Sequence, residues 1–275
     1  MNLDKITKAY ESGKLNGIFK DVPIDVYHNF ECPGFSSTFL KNTLRHSFGH
    51  ASDWRKEKQS KSDSLLVGSA FHDLLLQPHI FSTNWAVVPE GMRKDKRSKE
   101  YQAFLMDNNG KEALTQDQFN TIAKMAENTR KNPNFAGLDG IIEGTCWWTD
   151  QETELPLKCR PDILTNKGIM VDLKSTSDAR SWAFSKSIHE YMYHLSAAMY
   201  LDGVRANGIE ANEFHLIAVE NKYPYAVAWY RLDAASLDKG YELYKKALWK
   251  IKEGLTDESP TYYSDEIQDI SLPSY

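Results

Sequence analysis

Hydrophobic and polar positions alternate with a period of two along Gly168-Ile169-Met170-Val171-Asp172-Leu173-Lys174. In a strand this sends Ile169, Val171 and Leu173 to one face and Met170, Asp172 and Lys174 to the other. Upstream, Lys158 to Leu164 reads as a partner strand, and Thr165-Asn166-Lys167-Gly168 supplies the turn chemistry between them. Loop length decides the outcome. A three-residue loop puts Asp162 directly opposite Asp172, with Cβ atoms about 4.5–5.5 Å apart on one face. A two-residue loop pairs Asp162 with Val171 and separates the acids. The expectation is the three-residue loop, with Gly168 at positive φ in a bulge.

Before the hairpin the pattern is mostly helical. A short polar helix runs from Leu3 to Ser12, and Ser36 or Ser37 caps another from about Thr38 to Arg55, with Phe39, Leu40, Leu44 and Phe48 on its apolar side. Ser64 to Gln77 is a third, stopped by Pro78. Its inward stripe carries Leu65, Gly68, Ser69, His72, Leu75 and Leu76. Asn84 to Pro89 reads as a strand and Ser98 to Asn108 as a helix. Thr115-Gln116-Asp117-Gln118 fits a capping box opening a helix to about Lys131.

Ile141 to Trp148 then reads as a strand that places Glu143 with Ile141, Thr145 and Trp147, and Leu155 to Leu164 returns beside it. After Lys174, Asp178 caps a helix from Ala179 to about Glu190, and another follows from His194 to Asp202. Strands at Glu213 to Glu220 and Tyr225 to Leu232 precede a long amphipathic helix from about Ala234 to Gly254. This order predicts an α/β (α+β) fold, a central mixed β-sheet flanked by helices. We expect one domain over residues 1–275: a helical part to about 132, a sheet core over about 140–254 and a loose tail over 255–275.

Composition adds exclusions. Of the 275 residues 41% are hydrophobic and 26% charged, an ordinary globular balance. No apolar run reaches the length of a membrane span and no signal-peptide core follows the first residues, and the odd count of cysteines leads us to expect a reducing cytoplasm. Three cysteines, Cys32, Cys146 and Cys159, lack metal-ligand spacing and are too few for a four-thiolate iron–sulfur cluster. A net charge of −5 does not advertise a nucleic-acid binder, although a basic groove can be local. The runs Arg93 to Lys99 and Lys56/Lys58/Lys61 are the candidates to line one. No glycine-rich phosphate loop, zinc-ligand spacing or G-x-S-x-G elbow is present.

Two acids and a lysine on one strand face, with an inward histidine upstream, suit a divalent cation that must also bind phosphate and water. His72, Asp162 and Asp172 are then the ligand candidates, and Lys174 the group that orients water and offsets transition-state charge. Glu143 either reaches the same site or is an edge-strand charge. By local spacing alone, the hairpin is equally a surface ribbon with an ordinary Asp–Lys pair, and His72 a hydrogen-bonded core histidine.

Pro161-Asp162…Asp172-Leu173-Lys174 has the form of the PD-(D/E)xK nuclease signature. The chain resembles the exonuclease VIII (RecE-like) branch of that superfamily, the phage and prophage recombination exonucleases, over roughly residues 27–250. Supporting stretches are Pro33-Gly34-Phe35-Ser36, Val67 to His72, Arg97-Ser98-Lys99, Lys158 to Asp162 and Ala197 to Gly203. The resemblance implies His72, Asp162, Asp172 and the Leu173 backbone carbonyl as metal ligands, with Lys174 as catalytic lysine. Arg97, Lys99 and Arg160 become candidates for DNA contact. It implies Mg²⁺, with Mn²⁺ able to substitute, and 5′→3′ degradation of one strand of linear double-stranded DNA to leave a 3′ single-stranded tail. It also implies a RecT-like single-strand annealing partner, a ring-like trimer or tetramer, and a phage or prophage gene expressed in a bacterial host. An endonuclease or defence nuclease of the same fold, or an inactive DNA-binding module, fits the same residues. One departure stands out. The family's glutamine four residues before an aromatic is replaced by Ser196 before Tyr200, and His194 is a candidate to take over its contact.

Overall fold

The structure, a computed structural model, describes residues 1–57, 62–257, 262–263 and 266–272. Lys58 and Lys61 lie outside the described residues.

The chain opens with α1 (Leu3–Glu11), β1 (Gly17–Phe19) and α2 (Ile24–His28). The helix expected over Thr38–Arg55 is two helices, α3 (Ser37–Arg45) and α4 (Phe48–Lys56). His46 leaves helical geometry, and the Ser47 hydroxyl caps α4 by accepting from the His50 N–H, a local alternative that competes with helix continuation. Next come α5 (Asp63–Leu76), capped by Ser62, then α6 (Pro78–Asn84) and β2 (Trp85–Val87). Beyond them, α7 (Lys99–Asp107) and β3 (Glu112–Leu114) lead to α8 (Gln116–Lys131), which has the expected capping box at Thr115 and Gln118. The short α9 (Pro133–Ala136) leads into the sheet region. The amino-terminal part is therefore not purely helical: β1 joins a sheet downstream, and β2 pairs with β3 in parallel.

The two long strands expected next are each broken in two. The first is β4 (Gly140–Ile142) and β5 (Thr145–Thr149), and its return is β6 (Pro156–Cys159) and β7 (Ile163–Thr165). Ile142 pairs with Ile163 and Cys146 with Cys159, so the register is unchanged across the gap. One antiparallel ribbon thus kinks at Glu143-Gly144 and Arg160-Pro161-Asp162, and its halves enter different sheets. Proline cannot donate to the ladder and glycine weakens a strand, so the break falls where both occur. One half pairs with β1, in the order β1-β5-β6. The other joins β8 (Ile169–Thr176).

After β8, α10 (Ser181–Glu190) and α11 (Tyr193–Ala206) cross to β9 (Glu213–Glu220), followed by β10 (Val227–Arg231) and α12 (Ala234–Thr256). The central five-stranded sheet has the order β10-β9-β8-β7-β4 and is mixed, with β8 and β9 parallel and its other pairs antiparallel. One face, with Leu164, Met170, Phe214, Leu216 and Ala218, packs in a core with residues of α3, α11 and α12. The opposite face, with Ile163, Val171, Leu173, Ile217 and Val219, packs with residues of α5 and α8. Asp178 does not cap α10; it accepts instead from the Arg180 N–H at 2.9 Å and holds the Arg180 guanidinium. No helix among the described residues is long and apolar enough to cross a membrane.

Candidate active site

Ile163 pairs with Val171 and Leu164 with Met170, a register that sets Asp162 opposite Asp172. The turn between β7 and β8 is the odd-length one, closed by Gly168 N–H to Thr165 O at 3.0 Å, with Gly168 at φ +73°. A Cβ there would lie 1.9 Å from the Glu210 carbonyl oxygen, so both the backbone angle and the close approach require glycine.

Because β7 begins only at Ile163, the edge of β8 beyond Val171 has lost its neighbour on that side. Its backbone groups must find other partners. The Leu173 N–H donates to Asp162 Oδ2 at 2.5 Å, and the Leu173 carbonyl lies 3.1 Å from His72 Nε2. His72 reaches this edge from α5, with Nδ1 3.5 Å from Asp162 Oδ1. Gly68, one turn earlier, would place a Cβ 3.4 Å from Ser175 Oγ, an ordinary contact between α5 and β8. Leu65, expected on the same inward stripe, is instead exposed at the start of α5.

The kink completes the cluster. Glu143 sits at φ +52° between β4 and β5, with its N–H donating to the Asp162 carbonyl at 3.0 Å. A non-glycine residue in this region is strained, and such strain persists only where its surroundings impose it. Here Arg160 imposes it, giving Nε to Glu143 Oε2 at 2.7 Å and Nη1 to the Val22 carbonyl and Thr145 Oγ1 at 2.8 and 3.0 Å. The Arg160 side chain is only 9% exposed, and its Nε and Nη1 donors are used inside the protein. Arg160 is therefore a buried strut rather than a residue of a DNA-facing surface. Glu143 is likewise not an edge-strand charge.

His72, Glu143 and Asp162 each offer a ligand atom, all within 4.8 Å of one another. Asp172 is outside this group, with its carboxylate drawn onto Lys174 Nζ, which also donates to the Leu173 carbonyl at 3.2 Å. Electrostatics reflect the crowding. Burial and the neighbouring Asp162 push Glu143 up to about 7. Burial alone would depress His72, but the Asp162 carboxylate outweighs it and holds the imidazole at about 9. Burial raises Asp172, and Lys174 is raised despite burial by Asp172 and Asp162. A donor set of two carboxylates, an imidazole and a nearby backbone carbonyl suits a hard divalent cation, which would neutralise the acids burial now penalises.

Two site residues escaped the sequence reading. Tyr193, at the start of α11, lies with its ring centre 5.1 Å from Lys174 Nζ and 5.5 Å from Lys41 Nζ. Burial and the nearby Lys174 lower Lys41 to about 7. No local pattern marks Lys41: it is one lysine of a short amphipathic helix, brought here only by the packing of α3. The structure does not bring Ser196 or Tyr200 into hydrogen-bond contact with the cluster. The Tyr200 hydroxyl faces Ser37 Oγ at 3.4 Å, and the buried His194 holds the Ile188 carbonyl through Nδ1 at 3.2 Å. Arg97 and Lys99 lie on the exposed surface at the start of α7, where Arg97 pairs with Asp95.

A kinked ribbon feeding a mixed sheet, with Pro161-Asp162 opposite Asp172-Leu173-Lys174, defines a PD-(D/E)xK-type domain. The chain belongs to the family described as "PDDEXK-like domain of unknown function (DUF3799)", whose model matches residues 36–272. Among solved structures it resembles the "Putative exonuclease" from Eubacterium rectale, with TM-score 0.62 and 12% identity over 92% of this chain and 96% of that one. That likeness shows a shared fold. A "phage related exonuclease" from Haemophilus somnus 129PT also matches at 12% identity, over 62% of this chain and 92% of that one, but its TM-score of 0.33 is too low to carry weight. No curated protein matches the chain.

Proposed function

We propose that this protein is a Mg²⁺-dependent exodeoxyribonuclease that hydrolyses one strand of linear double-stranded DNA. The observation that carries the reading is the convergence of His72, Glu143 and Asp162 within 4.8 Å beside the Asp172–Lys174 pair. His72, Glu143, Asp162 and the Leu173 carbonyl would hold the cation, with Asp172 adjoining. Bound there, a divalent cation polarises a phosphoryl oxygen and makes water a stronger nucleophile at neutral pH. Lys174 stays protonated beside Asp172 and offsets the charge that develops on the phosphate. Asp172 fixes the position of that ammonium, and Arg160 fixes Glu143.

The finer reading rests on the resemblance to recombination exonucleases: 5′→3′ polarity, 3′ single-stranded tails, delivery to a RecT-like annealing partner, and a ring-like trimer or tetramer. The family match and the shared fold of the Eubacterium rectale protein, itself named "Putative exonuclease", support the coarser reading of a nuclease. Arg97 and Lys99 are offered as phosphate contacts for the duplex, because they are exposed and basic. A digestion assay comparing linear with covalently closed circular duplex tests the proposal. Loss of linear DNA alone, and only with Mg²⁺, is expected. Cleavage of the closed circle overturns the exonuclease reading in favour of an endonuclease.

A further inference from the structure

Among the described residues, no carboxylate pairs with Lys41 or Arg45. The two stand four residues apart on α3 and so share one face, turned away from the buried Phe39, Leu40 and Thr43. The half-buried Lys41 side chain has Nζ 5.5 Å from the centre of the Tyr193 ring, the same ring that Lys174 Nζ approaches to 5.1 Å. Its ammonium makes no hydrogen bond among the described residues. Arg45 gives Nη2 to the Glu190 carbonyl at the end of α10, a neutral acceptor that leaves its charge uncompensated. Lys174 and Arg45 both act against the charge on Lys41. Asp172, the acid that favours it, is already paired with Lys174.

Burying a charge without a partner is costly, and setting it beside two like charges adds to the cost. An apolar side chain would serve the packing of α3 better at this position. The arrangement gains a purpose once an anion enters. From Lys41 to Arg45 the helix rises about 6 Å, so the pair carries the positive side of the site outward from Lys174. In a chain of net charge −5 this is a local strip rather than a general property of the surface. A polyanion whose charges repeat along its length matches such a strip, because each of its phosphates can meet one cation.

We propose that Lys41 and Arg45 bind successive backbone phosphates of the strand being hydrolysed, Lys41 nearer the reacting group and Arg45 farther out. That the polyanion is DNA rests on the nuclease reading above; the place of its phosphates rests on the two unpaired cations.

The test is fluorescence anisotropy of a labelled blunt duplex, titrated with the full chain in EDTA between about 50 and 200 mM KCl. Each phosphate contact on duplex DNA contributes about 0.9 to the slope of log affinity against log salt. Lys41→Met and Arg45→Met are each expected to make that slope shallower by about 0.9 and to weaken binding about 10-fold at the lowest salt, the effect of losing one hydrogen bond to a charged group. Lys41→Arg keeps the charge and should keep the slope. A role in packing alone would not move the slope, and Lys41→Met should melt no lower than wild type, because it removes a charge its neighbours repel. Wild-type protein that does not bind the duplex at the lowest salt, or methionine variants that keep the wild-type slope, overturn the proposal. A slope change without Mg²⁺-dependent hydrolysis leaves the two contacts and removes the nuclease reading. Hydrolysis with an unchanged slope does the reverse.

Discussion

Asp162 and Asp172 lie opposite each other in the β7–β8 register, yet their carboxylates serve different partners. Asp162 accepts from the Leu173 N–H and faces His72, whereas Asp172 pairs with Lys174. The hairpin therefore presents one acid to the candidate cation and uses the other to hold the lysine. Asp162→Asn should accordingly abolish cation binding, whereas Asp172→Asn should retain part of it and lose turnover. Isothermal titration with Mn²⁺ separates the two.

Gly168 is the residue that makes this register possible. Gly168→Ala forces a Cβ into the Glu210 carbonyl at a backbone angle that disfavours it. The expected cost is more than about 1 kcal/mol, read as a lower urea midpoint, together with reduced hydrolysis because Asp162 shifts against Asp172.

Arg160 tests whether the kink is built around Glu143. Removing one partner of a buried ion pair costs about 3–5 kcal/mol, so Arg160→Ala should unfold at markedly lower denaturant. Glu143→Gln keeps a hydrogen-bond acceptor for Arg160 and should fold nearly as well, but bind the cation more weakly.

The cluster's crowding predicts that the cation stabilises the fold. At a concentration a hundredfold above its dissociation constant, a ligand contributes about 2.7 kcal/mol, and each kcal/mol moves the midpoint of a chain this size by about 2–4 °C. Wild type should therefore melt several degrees higher in Mg²⁺ than in EDTA. Asp162→Asn should show no difference between the two.

Away from the site, Lys245 joins α12 to the β5–β6 turn through Asp150 at 2.6 Å. Burial alone would raise Asp150, but hydrogen bonds from Lys245 and Thr153 bring it below the ordinary carboxylate value. A depressed acid contributes stability above its unfolded pKa, near 3.9, and loses that contribution as pH falls through the lower folded value. Asp150→Asn should thus narrow the stability gap between pH 6 and acid conditions, as measured by urea melts across pH.

The β7–β8 hairpin was legible in the sequence because alternation fixes the faces of β8 and the glycine turn fixes the register. The capping box of α8 and the limits of β9 were legible for similarly local reasons. The kink was not, although Gly144 and Pro161 were visible: each reads as a local blemish, and only their pairing across the ribbon makes one bend. The setting of Arg160, a candidate for DNA contact, was not legible because nothing nearby in sequence shows that Val22, Glu143 and Thr145 surround it. Lys41 and Tyr193 meet Lys174 across long separations in sequence, which periodicity cannot report.

Lys174 and the adjoining acidic cluster are proposed to hydrolyse DNA. The most direct measurement is the rate of nucleotide release from end-labelled linear duplex by wild type and Lys174→Ala, each with Mg²⁺ and with EDTA. Release by wild type is expected in Mg²⁺ only, with a fall of at least about 10²–10³-fold for Lys174→Ala, the range for loss of one group that stabilises transition-state charge. Equal rates for the two proteins, or release that persists in EDTA, would contradict it.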